Sequence, residues 1–157
     1  MKARWVTIYG VAAGLLMTSA GSAIAEQWRT AHKAAEGAVG VELDYMDRSS
    51  PNEPTASVVL VFRQNQGADY LVQRVRVRCA EGQWQTFGGV VFNLDGTRIA
   101  DMPAPEGENP WMPVAGTAGA AFHPAICNDV WSAPAAFEGT TLNYARSLRQ
   151  ELTSPAG

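Results

Sequence analysis

Tyr70-Leu71-Val72-Gln73-Arg74-Val75-Arg76-Val77-Arg78-Cys79 alternates more cleanly than any other stretch of this chain. Successive side chains of a strand point to opposite faces, so Leu71, Val75, Val77 and Cys79 share one face while Arg74, Arg76 and Arg78 share the other. The pattern predicts a strand with one face in the core and one in water. It therefore belongs to a sheet that needs a lid on its apolar side.

The segments on either side extend that sheet. Upstream, Ser57 to Arg63 is apolar on both alternations, as expected of a central strand covered on both faces. Before it lies the turn-rich linker Ser49-Ser50-Pro51-Asn52-Glu53-Pro54, whose prolines exclude a central strand. Val39 to Tyr45 and Trp28 to His32 are short strand candidates. Downstream, a Glu81-Gly82 turn leads into Gln85 to Leu94, with Val90, Phe92 and Leu94 on one face and Gly88-Gly89 marking a bulge or a close backbone approach. Asp95-Gly96 signals a hairpin, so Thr97 to Met102 returns antiparallel.

The rest of the chain is different in kind. Pro103 to Pro113 reads as a polar loop, mobile apart from an exposed Trp111. Thr117 to Cys127 is Ala-rich, but Gly119 and Pro124 restrict it to a short or broken helix, and Ala120 to Cys127 is the best candidate for the lid. Leu142, Ala145, Leu148, Arg149 and Leu152 form one stripe at helical spacing, with Thr140 or Thr141 as cap. Consecutive strands with short links followed by helical material describe an antiparallel α+β domain, most simply a meander.

The chain has 157 residues, 46% hydrophobic and 17% charged, which suits one globular domain rather than two or a disordered segment. Its formal charge of −3 disfavours nucleic acid or an anionic membrane as partner. At the N-terminus, Lys2 and Arg4 precede the uncharged, mostly apolar run Val6 to Met17, and Ala23-Ile24-Ala25 supplies small residues at a cleavage site. This reads as a signal peptide over residues 1–25, with a mature domain over 26–157. The apolar run falls short of the roughly 20 residues of a spanning helix, so no permanent membrane span is expected after cleavage. Periplasmic or secreted localisation follows.

Export changes the meaning of the two cysteines. A reducing compartment would keep Cys79 and Cys127 as separate thiols, whereas an exported chain with two cysteines points to a disulfide. The bridge would fasten the Thr117–Cys127 segment to the arginine-bearing strand. Closing a loop of that length contributes roughly 4 kcal/mol in the chain-entropy picture.

Catalytic and metal motifs are not found. His32 and His123 are the only histidines and make no zinc spacing with the cysteines. Asp44 and Asp47 lack the oxygen-rich pattern of a calcium loop. Gly116-Thr117-Ala118-Gly119 is too short for a phosphate-binding loop and has no Lys, and no Gly-x-Ser-x-Gly elbow occurs. No cofactor is expected, and the chain reads as a non-enzyme. Arg74, Arg76 and Arg78 are the distinctive polar feature, three guanidinium groups about 6.8 Å apart along one strand face. They either receive carboxylates or sulfates from a partner or pair with acidic residues on neighbouring strands. Trp111 is a further candidate contact, or folds back on the sheet edge. Trp28, Trp84 and Trp131 read as core or edge packing.

Several features in order resemble the surface-adhesin E family of small exported bacterial proteins. They are Gln27-Trp28, Val41-Glu42-Leu43-Asp44 with the Ser49-Ser50 turn, Val75-Arg76-Val77-Arg78-Cys79, the aromatic strand ending in Asp95-Gly96, and Trp111-Met112-Pro113-Val114-Ala115-Gly116-Thr117 leading to Cys127. The match spans Trp28 to Cys127 and leaves a C-terminal extension after about residue 128. The resemblance implies an antiparallel sheet with a C-terminal helix held by the cysteine bridge. It also implies a binding role, with adhesion to host matrix proteins in the founding branch. That branch is lipid-anchored, and no cysteine here lies near the cleavage region. The expected function is an exported binding module with a host or envelope protein as partner, the alternative being a periplasmic structural or envelope-assembly factor.

Overall fold

A computed structural model describes residues 25–107 and 109–154. The signal-peptide reading rests on residues that lie outside the described ones, apart from Ala25. Six strands follow one another along the chain: β1 (Glu26–Lys33), β2 (Gly37–Asp47), β3 (Thr55–Phe62), β4 (Tyr70–Arg78), β5 (Gln83–Phe92) and β6 (Arg98–Met102). Each pairs antiparallel with the next, which is the expected meander. A two-residue strand β7 (Met112–Pro113) adds to β5, and β8 (Phe137–Gly139) pairs with β1 at the far edge. β3 lies in the middle of the order β6-β5-β4-β3-β2-β1-β8, where its doubly apolar sequence places it.

Among the described residues two helices complete the fold, α1 (Gly119–Asn128) and α2 (Thr141–Thr153), and they lie on opposite faces. Phe122, Ala125 and Ile126 of α1 pack on Val39, Val41, Val58, Val75 and Val77. Tyr144, Ala145 and Leu148 of α2 pack on Trp28, Ala38, Val59, Val61 and Tyr70. The expectation of one wet face is thus corrected. Tyr70 and Val72 share the alternation of the arginines, and α2 covers that end of the face while leaving Arg74 to Arg78 uncovered. The approach of α2 is close: a methyl at Gly40 would collide with the Tyr144 ring.

The first helix is short, as expected, and of the two alternatives it is the unbroken one, running through Pro124 over ten residues. Proline removes one backbone donor, a loss offset here by burial of Phe122, Ala125 and Ile126. The Thr117 hydroxyl accepts the Gly119 N–H at 3.2 Å and the Trp84 indole N–H at 2.9 Å, which fixes the helix entry to the sheet. Cys127 is bonded to Cys79, just beyond β4, so the disulfide fastens α1. The terminal helix α2 is held by packing and by its Thr140 cap, whose hydroxyl accepts the Asn143 N–H.

Candidate functional site

The uncovered end of the α2-side face is built on the register of four strands. Trp28, Glu42, Ser57 and Arg74 are successive cross-strand partners from β1 to β4, and Thr55, Arg76 and Gln85 form the next row. Paired residues in a sheet share a face, so Glu42 and Ser57 lie between the cover of α2 and the arginines. Burial pushes the Glu42 carboxyl above its ordinary range, an effect that its hydrogen bond with Ser57 opposes.

The Gly88-Gly89 pair does what its sequence suggested. Register shifts between Gln73 and Val75 of β4, and Gly88 takes a φ of 101°, a conformation that favours glycine. The inserted residue exchanges the faces of the two halves of β5. Trp84 therefore faces α1, while Phe87 on one side of the bulge and Val90 and Phe92 on the other all meet the arginine face.

The four residues singled out in the sequence fall into two groups. Arg78 donates from Nε to Glu53 Oε1 at 2.8 Å and stacks on Trp111, its guanidinium carbon 3.9 Å from the ring centroid. The Pro51–Pro54 linker brings Glu53 there because it runs beside β4, where the Val77 N–H donates to the Pro54 carbonyl at 3.0 Å. Trp111 is folded onto the sheet rather than exposed. The end of its loop is pinned by β7 and by Asn109, which donates to the Thr86 carbonyl at 2.7 Å, so the mobile loop expected there is restrained at this end.

Arg74 and Arg76 behave differently. Among the described residues neither guanidinium has an ion-pair partner, and Arg76 lies 4.9 Å from the centroid of the Phe87 ring. Arg74 is exposed and Arg76 half-buried.

Three depressions run along this strand face. The first, of about 410 Å³, is floored by Val72, Val90 and Phe92 and ends at Arg74 and Phe87. The second, of about 370 Å³, is lined by Thr55, Arg74, Arg76 and Phe87. The third, of about 250 Å³, is lined by Asp47, Glu53 and Arg76. Asp47 is held below the usual carboxylate range by the Ser49 N–H, Glu53 is paired with Arg78, and Arg76 lines the same depression, so its charge is mixed. The second depression has two guanidinium groups and no carboxylate in its lining, which favours an anionic group between Arg74 and Arg76. The sequence reading did not single out Phe87, Glu53, Glu42 or Ser57. Counting register outward from the β3–β4 hairpin would have found Ser57 and Thr55.

The remaining candidates lie elsewhere. His123 is on α1, on the opposite face, with a buried Nε2 that has no partner among the described residues, and His32 is exposed on β1. Asp44 accepts the Gln27 N–H and Asp47 the Ser49 N–H, which are turn and strand-end contacts. No group of three or more metal-binding side chains occurs among the described residues. Trp28 and Trp84 are buried in the two cores, and Trp131 packs under Arg29.

No protein-family model, curated protein or solved structure matches the chain. The likeness to surface-adhesin E proteins stands on the sequence features alone.

Proposed function

We propose that this protein is an exported, non-enzymatic binding module of the bacterial envelope that grips a protein partner at the Arg74–Arg76 end of its sheet. The observation that carries the reading is the pair of guanidinium groups without ion-pair partners among the described residues, one on either side of Phe87 with Arg76 over its ring, on the part of the face that α2 leaves open. Arginine beside an aromatic surface is a common composition of binding hot spots, and carboxylates of a partner match its fork of donors. Arg78 and Trp111 serve as a prebuilt rim, since each already occupies the other.

Export is supported by the Cys79–Cys127 bridge, a bond that persists in oxidising compartments. Among the described residues no helix is long and apolar enough to cross a membrane. A periplasmic structural or assembly role is the second reading, favoured by the absence of a cysteine near the predicted cleavage region. Protease access in intact cells separates the two, since a surface module is cleaved and a periplasmic factor is protected until the outer membrane is opened.

The binding surface is tested with a photo-crosslinking phenylalanine analogue at Phe87, and a second at Ile99 on β6 as control. The reading predicts a discrete protein adduct from position 87 alone, lost when Arg74 and Arg76 become Ser. Equal adducts from both positions, or an adduct indifferent to the arginines, would overturn it.

A further inference from the structure

We propose that the first depression binds a single-chain aliphatic carboxylate, with its tail on the β4–β5 strip and its head group on Arg74. The floor supports the tail. Val72 pairs with Val90 and Tyr70 with Phe92, the rings of the second pair stacking at 5.1 Å, and Val72, Val90 and Phe92 are only half-buried beside α2. Gly88 and Gly89 line the groove with bare backbone packed closely against β6 and β4, and Phe87 lines it beside Arg74. A groove of about 410 Å³ falls within the roughly 300–1,000 Å³ of small-molecule sites, which are mostly apolar with a few polar groups that fix orientation.

Charge sets the direction of the ligand. Arg74 lines the groove at one end with no ion-pair partner among the described residues, and a guanidinium matches a carboxylate with two parallel hydrogen bonds. Thr141 of α2 also lines the groove; its hydroxyl donates to Glu26 Oε2 at 2.7 Å, and the same oxygen accepts the Trp28 indole N–H at 2.9 Å. On the helix side a carboxylate of the chain already has these donors. An anionic head group is therefore drawn to Arg74, and the tail runs toward α2.

This site shares Arg74 with the protein-binding surface proposed above but needs neither Arg76 nor the third depression, so the two readings can fail separately. The test is a titration of the purified, disulfide-intact protein with decanoate below its micelle concentration, followed by amide shifts. Octanoate, propionate and octylammonium are the comparison probes.

Saturable shifts are expected at Val72, Val90 and Phe92, with affinity rising about threefold per methylene from octanoate to decanoate. Propionate and octylammonium should bind at least tenfold more weakly. Arg74→Gln should weaken decanoate about fivefold to tenfold, and Arg76→Ser should change it less than twofold. Val90→Asp should abolish binding, and Val90→Thr, nearly isosteric, should weaken it even if the aspartate variant misfolds. Equal affinity for decanoate and octylammonium, indifference to Arg74→Gln, or shifts confined to another face would overturn the proposal. No decanoate binding alongside a persistent adduct from position 87 would overturn it while leaving the protein-binding reading intact.

Discussion

The two ends of one strand face in β4 have opposite fates. At the Tyr70 end, most polar groups are matched: Asp69 accepts the Leu94 N–H at 2.8 Å and an Arg149 Nη2–H at 2.9 Å, and the Thr30 and Tyr144 hydroxyls meet at 2.8 Å, while Arg149 Nε is buried without a partner among the described residues. At the Arg74–Arg76 end, two charges of one sign stand without ion-pair partners among the described residues, Arg76 touching only the face of Phe87. The same alternation runs through both. What separates them is the helix: α2 buries one end and makes its polar groups structural, while the other is left uncovered. A side chain whose polar atoms are matched within the fold contributes to stability, whereas an exposed unpaired cation contributes little and can be spared.

The comparison can be broken by substitutions graded from fold to surface. The largest loss is expected from the opposite face: replacing Cys79 and Cys127 with Ser should cost about 4 kcal/mol in urea unfolding, without altering decanoate or partner contacts. At the covered end, Leu148→Ala should cost about 3 kcal/mol, because the leucine is buried between α2 and the strands and its removal leaves a cavity. Asp69→Asn comes next, at about 2 kcal/mol near neutral pH, since it weakens a buried charge-assisted contact to Arg149. At the open end, Arg74→Ser with Arg76→Ser should change stability by less than about 0.5 kcal/mol. A large loss there would mean that the arginines are structural after all.

Acidity sharpens the contrast. Burial by itself would raise Asp69, but the Leu94 N–H and its partners Asn65 and Arg149 hold it below the usual carboxylate range. Its folded pKa is thus below its unfolded one, so its contribution is present above about pH 4 and is lost as pH falls through the folded value. Glu42, at the border of the open end, has the opposite sign. Its folded pKa lies above the unfolded one, so its contribution is greatest in acid and is lost as pH rises through the folded value. Comparing unfolding at pH 3, 5 and 7, Asp69→Asn should flatten the acid limb, whereas Glu42→Gln should leave neutral stability unchanged or slightly raised.

The pieces legible in the sequence were those set by local rules. Alternation in β4, the doubly apolar β3, the Asp95-Gly96 turn and the helical stripe of α2 each follow from the residues that form them. Two features depend on distant packing and could not be read locally. α1 persists through Pro124 because the sheet and the bridge hold it, and β8 is a three-residue strand that exists only because β1 offers an edge. The site was half legible for the same reason. Period 2 placed Arg74, Arg76 and Arg78 on one face, and the Gly88-Gly89 bulge and a folded-back Trp111 were both open to the sequence, but the choice between the two positions of Trp111, the linker that brings Glu53 to Arg78 and the meeting of Phe87 with Arg76 are tertiary events.

The arginines at the two ends of this face differ in being shielded within the fold or open to solvent, and solvent exchange of the arginine Nε–H protons in the native protein measures that difference directly. Slow exchange is expected at Arg149, whose Nε is buried although only its Nη2 is bonded to Asp69, intermediate exchange at Arg78, whose Nε donates to Glu53, and fast exchange at Arg74 and Arg76. Protection of Arg74 and Arg76 equal to that of Arg149 in the protein alone would contradict this account.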